Sequence, residues 1–437
     1  MVVPALGLSS PASADEFAGR EQLRASSAEF RKDVIEITAG VFAAVGYSAS
    51  NVTLIQGDNA SIIVDTAANT VDAKEIVNAF GDRLLRPVRA IIYTHNHPDH
   101  SGGAKVFAGN DSPDIYSHRS LVEAAPEFGR GPRGGGDAFG TELPDELFIN
   151  AGTQLEYGRV TPHTRDGFLP PTHTFSCESE TVVLSGIRFQ LIHTPGESPD
   201  NTAVWLSDRG VLIPGDVFLK SYPNLSPIRG LKLRSPETWI ASLEKLLRLD
   251  ATYMVQGHMR PIIGEIEVHK ALTAYRDAIK SVLDQTLTGI KLGKTPDELV
   301  QEVKLPIDLA SSPHLQEYYG SVAWTVRGIY ADYVGWFDGN ATNISPLPPA
   351  DRARKITDIV GGTAAMLARA MEALEAKQFQ WGAELADHVL VLDAENVAAK
   401  EIKAAALSEL GERQVNATAR NYYLTSAQFL LNEGKQN

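Results

Sequence analysis

The apolar run Val88-Arg89-Ala90-Ile91-Ile92-Tyr93 leads straight into Thr94-His95-Asn96-His97-Pro98-Asp99-His100. Its composition is that of a strand. The segment behind it packs three imidazoles and a carboxylate into six residues. His95 and His97 alternate around one metal ion, while Asp99 and His100 turn towards a second. A strand that delivers H-x-H-x-D-H into a loop needs further ligands from elsewhere in the chain. The fold must therefore converge on the end of this strand. A His-rich surface loop is the bland alternative, but this spacing is rarely met by chance.

Composition narrows which metals and partners are open to such a site. Cys177 is the only cysteine among 437 residues. That excludes a disulfide framework and a thiolate zinc cluster. A metal must then sit on His, Asp and Glu, which suits hydrolytic zinc better than structural zinc. The length suggests two or three domains, with a core large enough to need no staples. The formal net charge is -14, with no Lys/Arg-rich run, so the chain is a poor partner for nucleic acid. Apolar stretches such as Ala90 to Tyr93 and Val211 to Pro214 are too short to span a bilayer. Residues 1–14, MVVPALGLSSPASA, carry an A-x-A pattern like the end of a secretory signal. This predicts a periplasmic or secreted protein. The stretch lacks a basic start and has a short apolar core, so a frayed tail on a cytoplasmic protein is the alternative.

Along the chain, Glu16 to Ile35 is charged and Ala-rich, and predicts a helix. Val41 to Val45, Val52 to Gln56 and Ser61 to Asp65 read as strands, with Gly57-Asp58-Asn59 as a hairpin turn. Val71 to Phe80 has helical spacing. From Phe107 to Pro171 the periodicity dissolves, and the Gly/Arg-rich run 129–136 cannot pack a core. A loop of that length inside a domain is usually functional. Short strands return at Glu180 to Leu184, Arg188 to His193, Ala203 to Ser207 and Val211 to Pro214. A helix over Pro236 to Leu249 and a strand over Tyr253 to Gln256 follow. Hairpins followed by strand–helix units suit an α/β sandwich. After Val268 the pattern is nearly all helical. Ser345-Pro346-Leu347-Pro348-Pro349 marks a linker or corner. Within Ala364 to Leu410, Trp381, Ala386 and Ala399 fall where a tetratricopeptide-like helix pair would place them. One such pair cannot bury its own apolar face.

The H-x-H-x-D-H signature resembles the metallo-β-lactamase superfamily. The resemblance implies three further ligand sites, each where a strand ends. In Leu191-Ile192-His193-Thr194-Pro195-Gly196-Glu197, Glu197 stands where the superfamily has a third histidine, and a carboxylate ligates zinc as readily. An ordinary polar turn is the alternative there. His193 reads as a core or supporting histidine. In Val211-Leu212-Ile213-Pro214-Gly215-Asp216, Asp216 matches the metal-bridging acid, although Gly-Asp is also a frequent turn pair. In Tyr253-Met254-Val255-Gln256-Gly257-His258, His258 matches the last ligand. The implied cofactor is two Zn2+ per chain. His95, His97 and Glu197 hold one ion, Asp99, His100 and His258 hold the other, and Asp216 bridges. Two divalent ions, three carboxylates and a bridging hydroxide make a neutral core. A cation nearby would then help to attract an anionic substrate.

Arg229 is the expected cation. The run Lys220-Ser221-Tyr222-Pro223-Asn224-Leu225-Ser226-Pro227-Ile228-Arg229-Gly230 is similar to the sulfate-binding N-L…R-G segment of the zinc-dependent alkyl sulfatases. A planar guanidinium suits a tetrahedral oxyanion, whereas a surface arginine is the plain alternative. Arg276-Asp277, Asp284-Gln285-Thr286 and Leu305-Pro306 resemble that family's helical segment. Tyr318-Tyr319-Gly320-Ser321-Val322, Gly335-Trp336-Phe337-Asp338-Gly339-Asn340 and Tyr422 to Ala427 resemble its dimerisation domain. The likeness runs from about residue 40 to 430. Three departures stand out. The usual P-G-T-E-A-P is shortened to Pro195-Gly196-Glu197, the bridging acid is Asp216 rather than Glu, and Pro223 replaces a histidine, leaving Tyr222 or Lys220 as proton donor.

The resemblance implies a tail and helix over 1–35 and an αββα metallo-β-lactamase catalytic domain over 36–268. An all-helical dimerisation domain over 269–437 completes the chain. It implies a homodimeric binuclear zinc hydrolase that releases inorganic sulfate from a small alkyl sulfate ester by means of a metal-bound hydroxide. Asp99, Asp216 and Arg229 are its catalytic residues. Arg229, Asn224 and Tyr222 are its substrate contacts. A hydrolase of phosphoesters or lactones is the alternative on the same metals. A protein-interaction module that no longer turns over is the third reading.

Overall fold

Alternation along the strands decides the architecture. Val204 and Leu206 pack with one apolar cluster and Ala203 and Trp205 with another. Ile62 and Val64 likewise face one cluster and Ile63 a different one. Period-2 alternation with both faces apolar means each sheet is covered on both sides. The computed structural model describes residues 14–123, 136–155 and 163–433. Nearly all of the export-like segment and of the Gly/Arg-rich run 129–136 lies outside the described residues. The chain divides into two compact units, the described parts of Ser27–Gly135 with Asn150–Asp338, and those of Met1–Ser26, Gly136–Ile149 and Gly339–Asn437.

The first unit holds two sheets. One has seven strands in chain order: β1 (Asp33–Thr38), β2 (Val41–Val45), β3 (Val52–Gly57), β4 (Ala60–Val64), β5 (Val88–Ile92), β6 (Asp114–His118) and β7 (His173–Phe175). The first four form an antiparallel meander, and β4 to β7 run parallel. The other sheet has β8 (Ser179–Leu184), β9 (Ile187–His193), β10 (Thr202–Leu206), β11 (Val211–Ile213), β12 (Tyr253–Met254) and β13 (Ile262–Ile263), in spatial order β13-β12-β11-β10-β9-β8. The inner faces meet through Val41, Ile55, Ile62 and Ile92 from one sheet and Phe189, Leu191, Val204 and Ile213 from the other. Helix α1 (Thr70–Phe80) covers the outer face of the first sheet with Ala73, Ile76 and Phe80. Helices α2 (Pro236–Leu246), α3 (Glu265–Lys291) and α4 (Val322–Val334) cover the second with Trp239, Tyr275 and Ile329. This is an αββα sandwich. Its outer helical layer continues into the segment expected to begin a separate helical domain.

The second unit contains α5 (Pro349–Val360), α6 (Thr363–Glu375), α7 (Phe379–Leu392), α8 (Val397–Glu412) and α9 (Ala417–Glu433). Helices α6 to α8 occupy the stretch read as tetratricopeptide-like. Ala386 and Ala399 are fully buried, and small residues there let the helices approach closely. Trp381 is 50% exposed, so it does not fill the pair's core.

Two expectations change. The helix predicted over Glu16 to Ile35 ends at Ser26, and β1 begins at Asp33. The β-branched run Val34-Ile35-Glu36-Ile37-Thr38 favours the extended ladder with β2 over continued helix. Strand β6 lies in the stretch where periodicity dissolves. Asp-Ile-Tyr-Ser-His offers little alternation, and its place beside β5 comes from parallel pairing across the sheet.

Trp239 ties the outer helices to the site loop. Its side chain is 1% exposed, and its indole N–H donates to Val217 O at 2.7 Å. Trp239→Ala is expected to lose about 3–5 kcal/mol of stability, read as a lower midpoint in denaturant unfolding.

Candidate metal centre

Strand ends bring the chemistry together. Strand β5 stops at Ile92, and Pro98 opens a one-turn helix, Pro98–Ser101. Its fixed φ suits the first helical position. The helix opens between His97 and Asp99, and the two residues fall in different ligand groups. Asp216 follows β11 through Gly215, whose φ is +62°. A Cβ at Gly215 would stand 2.6 Å from Asn201 Oδ1. A Cβ at Gly257 would stand 2.0 Å from Asp216 Oδ1, so only glycine admits the carboxylate there.

His95, His97, Glu197 and Asp216 form one group and Asp99, His100 and His258 a second. Within each group the ligand atoms lie within 4.8 Å of one another. Asp216 Oδ2 lies 3.8 Å from His95 Nε2, 3.5 Å from His100 Nε2 and 3.0 Å from His258 Nε2. One carboxylate thus reaches both groups. Glu197 Oε2 is 3.7 Å from His97 Nδ1, and Asp99 Oδ2 is 3.6 Å from both His100 Nε2 and His258 Nε2.

The polar atoms left over test whether metals fit. His95 Nε2, His100 Nε2, Glu197 Oε2 and Asp216 Oδ1 are buried without a hydrogen-bond partner. Orphaned buried polar atoms are rare and costly. Four of them on lone-pair donors, converging in two adjacent groups, fit divalent cations. The other imidazole nitrogens are already committed. His100 Nδ1 donates to Asp65 Oδ2 at 2.7 Å, and His258 Nδ1 donates to Ala49 O at 2.7 Å. Each bond orients its ring so that Nε2 faces the ligand groups, where His258 Nε2 meets Asp216 Oδ2 at 3.0 Å.

Protonation follows the surroundings. Burial, aided by His100, pushes His95 down to about 3, so its ring is neutral. Burial also lowers His258, but Asp216 and Asp99 outweigh it and raise the ring to about 9. Burial raises Glu197 to about 7 despite the Arg234 guanidinium beside it. Asp216 is held well below the usual carboxylate range because His258 and His100 outweigh its burial.

The structure places the remaining sequence-derived residues unevenly. Arg229 Nη1 donates to Tyr319 Oη at 3.1 Å, and its charge reaches Glu197. Asn224 is buried, and its Oδ1 makes no hydrogen bond. Tyr222 belongs to the apolar cluster of Phe218, Leu225, Trp239 and Tyr275, and its hydroxyl interacts with Thr325. It is a packing residue, and no ligand group bonds to it. The other proposed donor, Lys220, pairs with Glu29 at 3.0 Å. His193 stacks on His118 with ring centroids 3.8 Å apart, and belongs to neither ligand group.

Sequence reading missed Asp65, Asn201 and Arg234. Asp65 Oδ1 accepts from Thr94 N at 2.8 Å while Oδ2 holds His100, so it braces the motif from β4. An acid directly after a strand, the same signal as Asp216, would have pointed to it. Asn201 donates to Thr194 Oγ1 at 2.9 Å and to Pro214 O at 3.0 Å, and accepts from Asp216 N at 3.2 Å. Arg234 Nη1 lies 2.7 Å from Glu197 Oε1, with both side chains buried. Nothing local in the sequence marks it.

Residues 45–258 match the metallo-beta-lactamase superfamily, and residues 295–433 match the alkyl sulfatase dimerisation family. The chain is 37% identical over 396 residues to a linear primary-alkylsulfatase from Pseudomonas sp., covering 87% of this chain and 74% of that protein. It is 27% identical over 413 residues to an (R)-specific secondary-alkylsulfatase from Pseudomonas sp., covering 90% of this chain and 62% of that one. The solved structure of the stereoselective inverting sec-alkylsulfatase Pisa1 from Pseudomonas sp. aligns with a TM-score of 0.80 at 24% identity, over 91% of this chain and 65% of that chain. The chain thus spans a little under two thirds of the last two relatives, and the structural likeness concerns the fold.

Asp65 offers a direct test of the bracing network. Asp65→Ala should weaken divalent-metal affinity by about 10–100-fold, measured by competition with a chromophoric chelator.

Proposed function

The chain belongs to the alkyl sulfatase family of the metallo-beta-lactamase superfamily, and from that premise we propose that it is a metal-dependent hydrolase releasing inorganic sulfate from alkyl sulfate esters. The observation that carries the reading is a pair of guanidiniums, Arg229 and Arg234, acting on Glu197 beside the two ligand groups. A neutral metal core flanked by fixed cations suits a sulfate monoanion.

In this reading His95, His97 and Glu197 hold one zinc ion and Asp99, His100 and His258 hold the second, with Asp216 between them. The sets contain nitrogen and oxygen donors alone, which is the chemistry of hydrolytic zinc. Zinc supplies hydroxide near neutral pH by lowering the pKa of water. The chain's own residues do the rest. Asp216 keeps the two groups at a fixed separation. Asp99, whose side chain is 14% exposed against 4% for Asp216, orients the attacking water. Arg229 holds the sulfate oxygens, with Tyr319 fixing its guanidinium. Asn224 Oδ1, buried without a partner, orients the ester from the same loop.

The family likeness also supports a homodimer built from the region 295–433. Within it, Trp336 is 78% and Tyr333 49% exposed. Two large exposed aromatics in this region suit burial against a second copy.

Three outcomes are expected. Zinc-loaded protein should carry two ions by elemental analysis and release sulfate from a medium-chain alkyl sulfate. Phosphoester hydrolysis without sulfate release would turn the reading to the other substrate class. Arg229→Ala should keep both metals and lose about two orders of magnitude in kcat/KM on sulfate esters, the equivalent of roughly 2–3 kcal/mol. Native mass measurement at micromolar concentration should give a dimer, and a monomer would refute the assembly.

A further inference from the structure

Arg234 is buried and bonded on two sides. Its Nη1 lies 2.7 Å from Glu197 Oε1 and also donates to the carbonyl of Asn224 at 2.8 Å. Its backbone N–H donates to Leu225 O at 2.9 Å. Residues 224 and 234 therefore close the neck of one loop, and Arg229 rides on that loop. The same guanidinium touches a metal-ligand candidate and the base of the anion-binding segment.

Glu197 needs such a partner. A carboxylate at the end of a three-torsion side chain has more freedom than the histidine the superfamily places there, and it has two oxygens to offer. Arg234 engages Oε1, and Oε2 is left buried, unpartnered and 3.7 Å from His97 Nδ1. The backbone under Glu197 is already fixed. Thr194 N–H donates to Asn201 O at 2.8 Å, and Gly196 N–H to Ser198 O at 3.1 Å. Gly196 sits so close to Trp239 that a Cβ there would meet the indole at 3.0 Å. Side-chain rotation is the freedom that remains, and Arg234 removes it.

We propose that Arg234 is a positioning residue that presents Glu197 to the first metal through one oxygen and, from the same guanidinium, anchors the loop carrying Arg229. The proposal rests on the two-metal reading. A planar guanidinium is suited to the role because it donates in fixed directions to both acceptors, which an ammonium does not. A buried ion pair of this kind contributes little net stability, because desolvation of both charges offsets their attraction. Its value lies in the ligand geometry it imposes, as for other residues that support metal ligands.

The test compares zinc affinity of wild-type, Arg234→Met, Arg234→Lys, Glu197→Ala and the Arg234→Met/Glu197→Ala double variant, by titration against a chromophoric chelator. Thermal unfolding of each metal-free protein reports the fold separately. Arg234→Met should weaken one zinc equivalent by about 10–100-fold and spare the other, and Arg234→Lys should recover part of the loss. In the Glu197→Ala background, Arg234→Met should change zinc affinity less than about twofold, because the two act as one unit. Equal losses in both backgrounds, or wild-type affinity in Arg234→Met, would overturn the proposal. If wild-type protein binds a single ion, the two-metal reading falls by itself and the same comparison is made on that ion. A wild-type protein that binds none overturns both.

Discussion

The carboxylate of Asp216 is the interaction on which the site depends. It is buried, and its Oδ2 lies within 3.8 Å of imidazole nitrogens from both ligand groups. A charge in that position is costly unless it is matched at close range. His258 and His100 match it in the metal-free protein, and divalent cations match it better. The need to bury this charge among partners dictates the rest of the local design. It explains the glycine at 257, which leaves room for Oδ1, and the turn at Gly215 that delivers the side chain.

Around that charge, three of the ligand candidates are held by a second group outside the ligand set. Asp65 braces His100, the carbonyl of Ala49 braces His258, and Arg234 braces Glu197. Asn201 links Thr194 to the Pro214–Asp216 turn, which ties the ends of β9 and β11 together. Such a shell orders the ligands before a metal arrives and reduces the entropy lost on binding. The two apolar faces of the second sheet supply the rigidity. Trp239 and Tyr275 pack on its outer side, and the Trp239 N–H reaches the residue after Asp216.

The arginines change the electrostatic sum. In the proposed site, two divalent ions with three carboxylates and a hydroxide would be neutral, and Asp65 beside His100 adds a further negative charge. Arg229 and Arg234 more than offset it. Their placement on one loop concentrates the positive charge on the Glu197 side of the site, where it can orient an anion rather than merely attract one. In a chain whose net charge is -14, that local reversal suits the anionic substrate proposed above.

Much of this was legible from residues alone, for a physical reason. Metal ligation demands particular side chains at short spacings, and strands that end in such residues carry local signatures. The H-x-H-x-D-H run, Gly215-Asp216 and Gly257-His258 could be read one after another, and the structure gathers all seven ligand candidates into two adjacent groups. Alternation likewise marked most strands. Residues that act through space leave no such trace. Asp65, Asn201 and Arg234 matter only because the sandwich brings the ends of β4, β5, β10 and β11 and the 224–234 loop together. Tyr222 shows the converse: its place in a motif-like run suggested chemistry, but side-chain direction put it in the apolar core. The sequence by itself determined which atoms can bind metal. Only the tertiary structure decided which groups hold them in place, because that depends on contacts between segments tens to hundreds of residues apart.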